Sequence, residues 1–186
     1  PWQLFEGVAE FTQPYGGKSL CVDWVEVSSF SSAAIRGWEA FGKFGVAVGQ
    51  MRQIPATLYL GNRFPNTTPV IIPRDQQSLA AIWAFCSSAT FAVELRKVNQ
   101  KLSIDNGYVG KIPFDLEYWT QVAQERYPDG LPPPWSNDPT QWLFGGHPVG
   151  ATEPLHVAVA RLLGYRWPEP SPPAPIGANL SAGRAH

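Results

Sequence analysis

The sequence predicts an α+β fold: one domain with a small, mostly antiparallel sheet packed by several helices. Three observations carry that reading. Short β-branched and aromatic runs separated by Pro, Gly and Asn fill residues 45–73. Longer stretches with helical spacing follow them. The chain of 186 residues, 44% of them hydrophobic, suits one domain with a sizeable core.

The sheet is read from GVAVGQMRQIPATLYLGNRFPNTTPVIIP. Val46–Val48, Ala56–Leu60 and Val70–Ile72 are its strands, and the connections carry Gln50, Arg52, Gln53, Asn62, Arg63, Asn66, Thr67 and Thr68. Such connections suit a polar, anionic partner; a plain solvated sheet edge is the competing reading. Before the sheet, Cys21–Val27 alternates weakly as an edge strand. Ala33–Phe41 suggests a short helix with Trp38 and Phe41 on one face.

After the sheet, Asp75 or Ser78 caps a helix over 75–86, with Leu79, Ile82, Trp83 and Phe85 as its apolar stripe. Ser87 and Ser88 break it. A second helix, 90–99, turns Phe91, Leu95 and Val98 inward and leaves Glu94, Arg96 and Lys97 outside. Residues 102–113 read as a hairpin around Asp105-Asn106-Gly107. A third helix, 115–126, has Asp115 as N-cap and Leu116, Trp119, Val122 and Ala123 facing in. Residues 128–140 are a stiff Pro-rich loop, and 141–167 form a C-terminal helical layer that includes a helix over 153–163. The domain is expected over 1–167, with 168–186 a Pro/Ala-rich tail or linker. The start at Pro1, with no Met and no signal peptide before it, reads as a piece of something longer.

Net charge is −1, but its distribution is uneven. Residues 1–35 and 112–186 each carry −3, whereas 36–111 hold nine basic against four acidic groups, a local +5. Nearby charges dominate under screening, so this block can bind phosphate in a chain that is nearly neutral. Its candidate DNA contacts are Arg36, Lys43, Gln50, Arg52, Gln53, Arg63, Asn66, Lys97, Lys101 and Lys111. Arg, Gln and Asn suit base edges, and Lys suits phosphate.

Catalytic constellations do not emerge. FGKFGVAVG has the wrong spacing for a phosphate loop, and the three histidines, His147, His156 and His186, form no cluster. Asp105 and Lys111 lack the further residues of a nuclease site. Cys21 and Cys86 make neither a disulfide framework nor a metal spacing, which fits a reducing cytoplasm. No apolar run is long enough for a membrane helix; Leu79–Cys86 is the longest.

Several stretches together carry a resemblance: GVAVGQMRQIPATLYLGNRF, PVIIPRDQQSLAAIWAFCSS, VNQKLSIDNGYVGKIPFDLEYW, DPTQWLFGGHP and EPLHVAVARLLGYRWP. In this order, over roughly residues 35–168, the chain resembles the C-terminal part of Eco57I-type bacterial N6-adenine DNA methyltransferases of restriction–modification and phage-defence systems. The resemblance implies a target-recognition domain that holds and reads double-stranded DNA for a catalytic domain of the same polypeptide. The family's Asn-Pro-Pro-Tyr signature is missing, since residues 131–135 read LPPPW, and so is its Gly-rich cofactor motif. S-adenosylmethionine and methyl transfer are therefore expected in the catalytic domain and not in this region. Two alternatives stay open: a spacer or protein-interaction domain with Trp135, Trp142 and Trp167 as its surface, and an independent hydrolase with no recognisable motif.

Overall fold

The computed structural model describes residues 2–18, 20–26, 37–51, 53–101, 103–104 and 106–133, together with Leu155, Ala158, Val159 and Leu162. The expected α+β architecture is present. β1 (Trp2–Phe5) and β2 (Leu20–Asp23) form an antiparallel pair, Trp2 opposite Asp23 and Phe5 opposite Leu20. β3 (Gly45–Val48), β4 (Ala56–Tyr59) and β5 (Val70–Ile71) form a second antiparallel sheet in the order β4-β3-β5.

Every residue of β3 and β4 is buried, so these strands are covered on both faces. Alternation along β3 sorts the side chains. Val46 and Val48 join Leu58, Trp83, Phe85 and Leu95 in the larger core, whereas Ala47 joins Tyr59, Phe64 and Ala40 in a smaller one on the opposite face. Gly45 is fixed by close approach, because a Cβ there would lie 2.2 Å from the Ile71 carbonyl oxygen.

The helices are α1 (Leu79–Cys86), α2 (Ala89–Val98), α3 (Asn106–Val109) and α4 (Leu116–Arg126). Their starts follow local chemistry. Asp75 accepts from Gln77 N at 3.0 Å and caps a 3-10 turn, Gln76–Ser78, that runs into α1. Ser88 accepts from Phe91 N to open α2, and Asp115 from Tyr118 N at 3.0 Å to open α4. Such caps are each worth about 0.5–2 kcal/mol. α1 packs on α4 and on β3. At their junction Phe85 meets Phe91, Phe114 and Trp119 with ring centroids 5.1–5.4 Å apart, each contact adding about 0.5–1.5 kcal/mol to the area buried. Cys86 is wholly buried, and burial pushes its thiol pKa up; Cys21 is half-buried and also free. Among the described residues no single helix is long and apolar enough to cross a membrane.

Four expectations need correction. The hairpin around Asn106-Gly107 is absent: Asn106–Val109 is a helical turn, and Gly107 is not among the glycines of positive φ. The dipeptide's turn preference loses to packing, with Tyr108 and Val109 lying against the main core. Trp38 belongs to a 3-10 turn, Trp38–Ala40, and is 63% exposed, whereas Phe41 packs on the smaller core, so the two do not share one face of a helix. Val98 lies on the last turn of α2, past the core, and Leu116 on the first turn of α4, before it; both are exposed. The expected strand over 21–27 is one residue out at its start, ends at Asp23, and pairs with β1.

Arg36, Arg52, Trp135, Trp142, Trp167, the Pro-rich loop beyond residue 133 and the tail lie outside the described residues. So does most of the 141–167 layer, of which Leu155, Ala158, Val159 and Leu162 are helical and Val159 is buried.

The helical turn makes a direct prediction. A Cβ at Gly107 meets nothing within 4 Å. Gly107→Ala therefore removes backbone entropy from the unfolded chain and raises stability by about 0.5 kcal/mol in chemical denaturation. A loss of about 1 kcal/mol or more would reinstate the hairpin.

Candidate functional site

The ten candidate contacts do not converge on one place. Gln50 and Gln53 lie on the β3–β4 connection, where the Gln50 carbonyl accepts from Ile104 N at 3.0 Å and Gln53 is exposed. Its exit is constrained: Ile54 is buried at a φ of 53°, a left-handed conformation that a β-branched residue before Pro55 adopts only under constraint. Lys97 pairs with Glu94 at 2.6 Å on the exposed side of α2, and Lys101 follows the helix end, its carbonyl accepting from Arg96 Nη1. Lys111 places its ammonium 4.8 Å from the centre of the Tyr108 ring. Lys43 and Asn66 line one cleft, of about 640 Å³, beside β5.

Arg63 occupies the most structured position of the set. Its guanidinium carbon lies 4.0 Å from the centre of the Phe41 ring and 4.4 Å from that of Trp24, in the corner where the two rings meet edge to face. Arg63 Nε donates to Gln3 Oε1 at 2.7 Å. Two aromatic faces and one hydrogen bond thus hold the cation, and such contacts are worth about 0.5–2 kcal/mol each. Its two Nη groups have no partner among the described residues.

The surroundings leave that cation room to work. Gln3, Phe41, Gly42, Gly61, Asn62 and Arg63 line an open cleft of about 500 Å³. Its glycines are structural necessities: Gly61 has φ 89°, and a Cβ there would lie 2.7 Å from Gly42 Cα. The close backbones present bare peptide beside the guanidinium. Arg63 is anchored from below as well, since its carbonyl accepts from Glu6 N at 2.6 Å, and Phe64 packs edge to face on both Phe41 and Tyr59.

Under this site lies a buried ion pair, Glu6 with Lys18. Burial pushes the Glu6 carboxyl up to about 7, outweighing the attraction of Lys18 and hydrogen bonds from Lys18 and Asn62. Burial also lowers the Lys18 pKa against the pull of Glu6. Tyr59, buried beside them, has its hydroxyl pKa raised by burial, then by Glu6, with Arg63 acting the other way. Glu6 Oε2 has no hydrogen-bond partner among the described residues.

Among the described residues no group of three or more His, Cys, Asp or Glu side chains is placed to hold a metal ion. Sequence reading singled out Arg63 but missed Gln3, Trp24, Glu6 and Lys18, which come from the acidic first segment; no periodicity joins them to residue 63. No family model matches the chain, and no curated protein matches it.

Glu6 makes stability depend on pH with a definite sign. Its carboxyl titrates near 4.5 when exposed and at about 7 when folded, so folding takes up a proton between these values. Stability therefore falls as pH rises from about 4.5 to about 7. Glu6→Gln flattens that slope in denaturant titrations across the range; a slope that survives would place its origin elsewhere.

Proposed function

We propose that this domain holds double-stranded DNA through its phosphates, with Arg63 as the fixed anchor, and serves an N6-adenine DNA methyltransferase whose catalytic domain lies elsewhere in the polypeptide. The observation that carries the DNA reading is the Arg63 guanidinium, constrained by Trp24, Phe41 and Gln3 with both Nη groups unpaired among the described residues. A guanidinium presents several N–H donors in a rigid plane, and holding it in advance lowers the ordering cost of gripping a phosphate. The methyltransferase assignment rests on the resemblance over residues 35–168.

The surrounding charges support the same role. Lys43, Lys97, Lys101 and Lys111 are exposed and belong to the +5 block, so they add sequence-independent attraction spread over the surface. Base reading falls to the β3–β4 connection, where Gln50, Arg52 and Gln53 follow one another and Ile54 fixes the exit geometry. S-adenosylmethionine belongs to the separate catalytic domain in this reading, as does methyl transfer, and the reducing cytoplasm is its setting.

The test is fluorescence anisotropy of a random-sequence duplex at several salt concentrations. Binding is expected with a Kd around 10⁻⁴ to 10⁻⁶ M at physiological salt, weakening steadily as salt rises. Arg63→Gln weakens binding to all sequences and lowers the salt slope by about one charge. A melting temperature lowered by that substitution, with DNA affinity unchanged, would make Arg63 only a brace for β1 and β2. Absence of wild-type binding at low salt would overturn the DNA reading.

A further inference from the structure

The two outer edges of the β4-β3-β5 sheet differ. The β4 edge is covered by the chain itself: Ala56 donates its N–H to Thr12 Oγ1 at 3.2 Å, and Leu58 donates to the Pro14 carbonyl at 2.8 Å. Gln13 N donates to the Ala56 carbonyl, and the Thr57 hydroxyl reaches the carbonyls of Pro14 and Gly16. Among the described residues β5 has no such cover.

Register says which groups that leaves bare. Val48 N–H donates to the Pro69 carbonyl at 2.9 Å, and the pairing continues with Ala47 opposite Val70 and Val46 opposite Ile71. Bonded and non-bonded pairs alternate in an antiparallel ladder. The Ala47–Val70 pair is therefore non-bonded, and the N–H and C=O of Val70 point away from β3. Ile72, two residues on, points the same way. Neither residue has a hydrogen-bond partner on that side among the described residues.

This bare edge forms a wall of the 640 Å³ cleft. Phe64, Ile72 and Val109 make it apolar within, and Glu39, Lys43 and Asn66 line it with polar groups. Thr68 lines it too; that residue is only 2% exposed, and its hydroxyl has no hydrogen-bond partner among the described residues. We propose that the cleft accepts an extended peptide strand of a partner protein, added to β5 through Val70 and Ile72.

Hydrogen-bond chemistry selects that occupant. A donor and an acceptor on one residue, repeated two residues later, are matched in register by another extended backbone. Phosphate oxygens only accept, so a nucleic-acid backbone would leave the Val70 and Ile72 carbonyls unsatisfied. β5 is only two residues long, which confines the added strand to a short register and limits edge-to-edge aggregation. The peptide and the DNA anchor of Arg63 thus occupy different clefts.

The test uses the whole chain, ¹⁵N-labelled, with a blocked hexapeptide of alternating threonine and valine as probe. A second probe is the same peptide N-methylated at every other residue. Saturable shifts at the Val70 and Ile72 amides are expected, with hydrogen exchange there slowed at least about tenfold, and the N-methylated peptide binding at least about tenfold more weakly. Val70→Pro removes the outward-facing donor while leaving the Val48–Pro69 bond to β3 in place, and it weakens the parent peptide. Should that variant fail to fold, comparison of the two peptides decides alone. Four results would overturn the proposal: no saturable shift, equal binding of both peptides, slow exchange at Val70 and Ile72 in the free protein, or the same shifts produced by a short DNA duplex.

Discussion

The need to cover β3 on both faces governs the rest of the structure. Three strands of four residues or fewer depend on what packs against their apolar faces, and every residue of Gly45–Val48 is buried. On one side Val46 and Val48 require the α1–α4 layer, whose aromatic junction at Phe85 supplies the larger core. On the other side Ala47 is too small to fill the space above it, and Tyr59 and Phe64 fill it instead. That second layer sets the position of Arg63. Phe64 packs on Phe41, Phe41 meets Trp24, and the guanidinium lies in the corner of those two rings.

Consecutive residues then serve different ends. Arg63 lines the cleft beside Gln3 and Asn62, whereas Phe64 lines the cleft along β5. The first mixes polar and apolar groups beside the close backbones of Gly42 and Gly61; the second is largely apolar, along a sheet edge that is unpaired among the described residues. The buried Glu6–Lys18 pair lies beneath the first and ties the N-terminal segment to it, through Glu6 N bonded to the Arg63 carbonyl. A buried pair of this kind adds little stability of its own, but removing one partner alone is costly. Its contribution is to fix where β1 and β2 sit, and with them Gln3 and Trp24.

Much of the fold was legible because its signals are local. Strand runs bounded by Gly and Pro lie within one or two residues of β3, β4 and β5, and Asp75 and Asp115 cap where their chemistry places them; Ser88, read only as a break, also caps the next helix. Errors fell where distant packing overrides a local preference. Asn106-Gly107 favours a turn in isolation, yet Tyr108 and Val109 are held against the core and the segment is helical. The spacing of Val98 and Leu116 fits an inward stripe, but both lie at helix ends beyond the core they would reach. The candidate site was less legible for the same reason. Arg63 stands out as a polar residue between strands, but its geometry comes from Gln3 and Trp24, about sixty and forty residues earlier.

The central claim is that Arg63 grips an anion and does not merely brace the fold. The most direct measurement is a titration of the Arg63 side-chain nitrogens by ¹⁵N NMR with a short DNA duplex at low salt. The account predicts saturable shifts at Arg63 Nη1 and Nη2 that reverse as salt is added, with Nε changing less because it stays bonded to Gln3. Unchanged Nη resonances, while lysines elsewhere respond to the duplex, would contradict it.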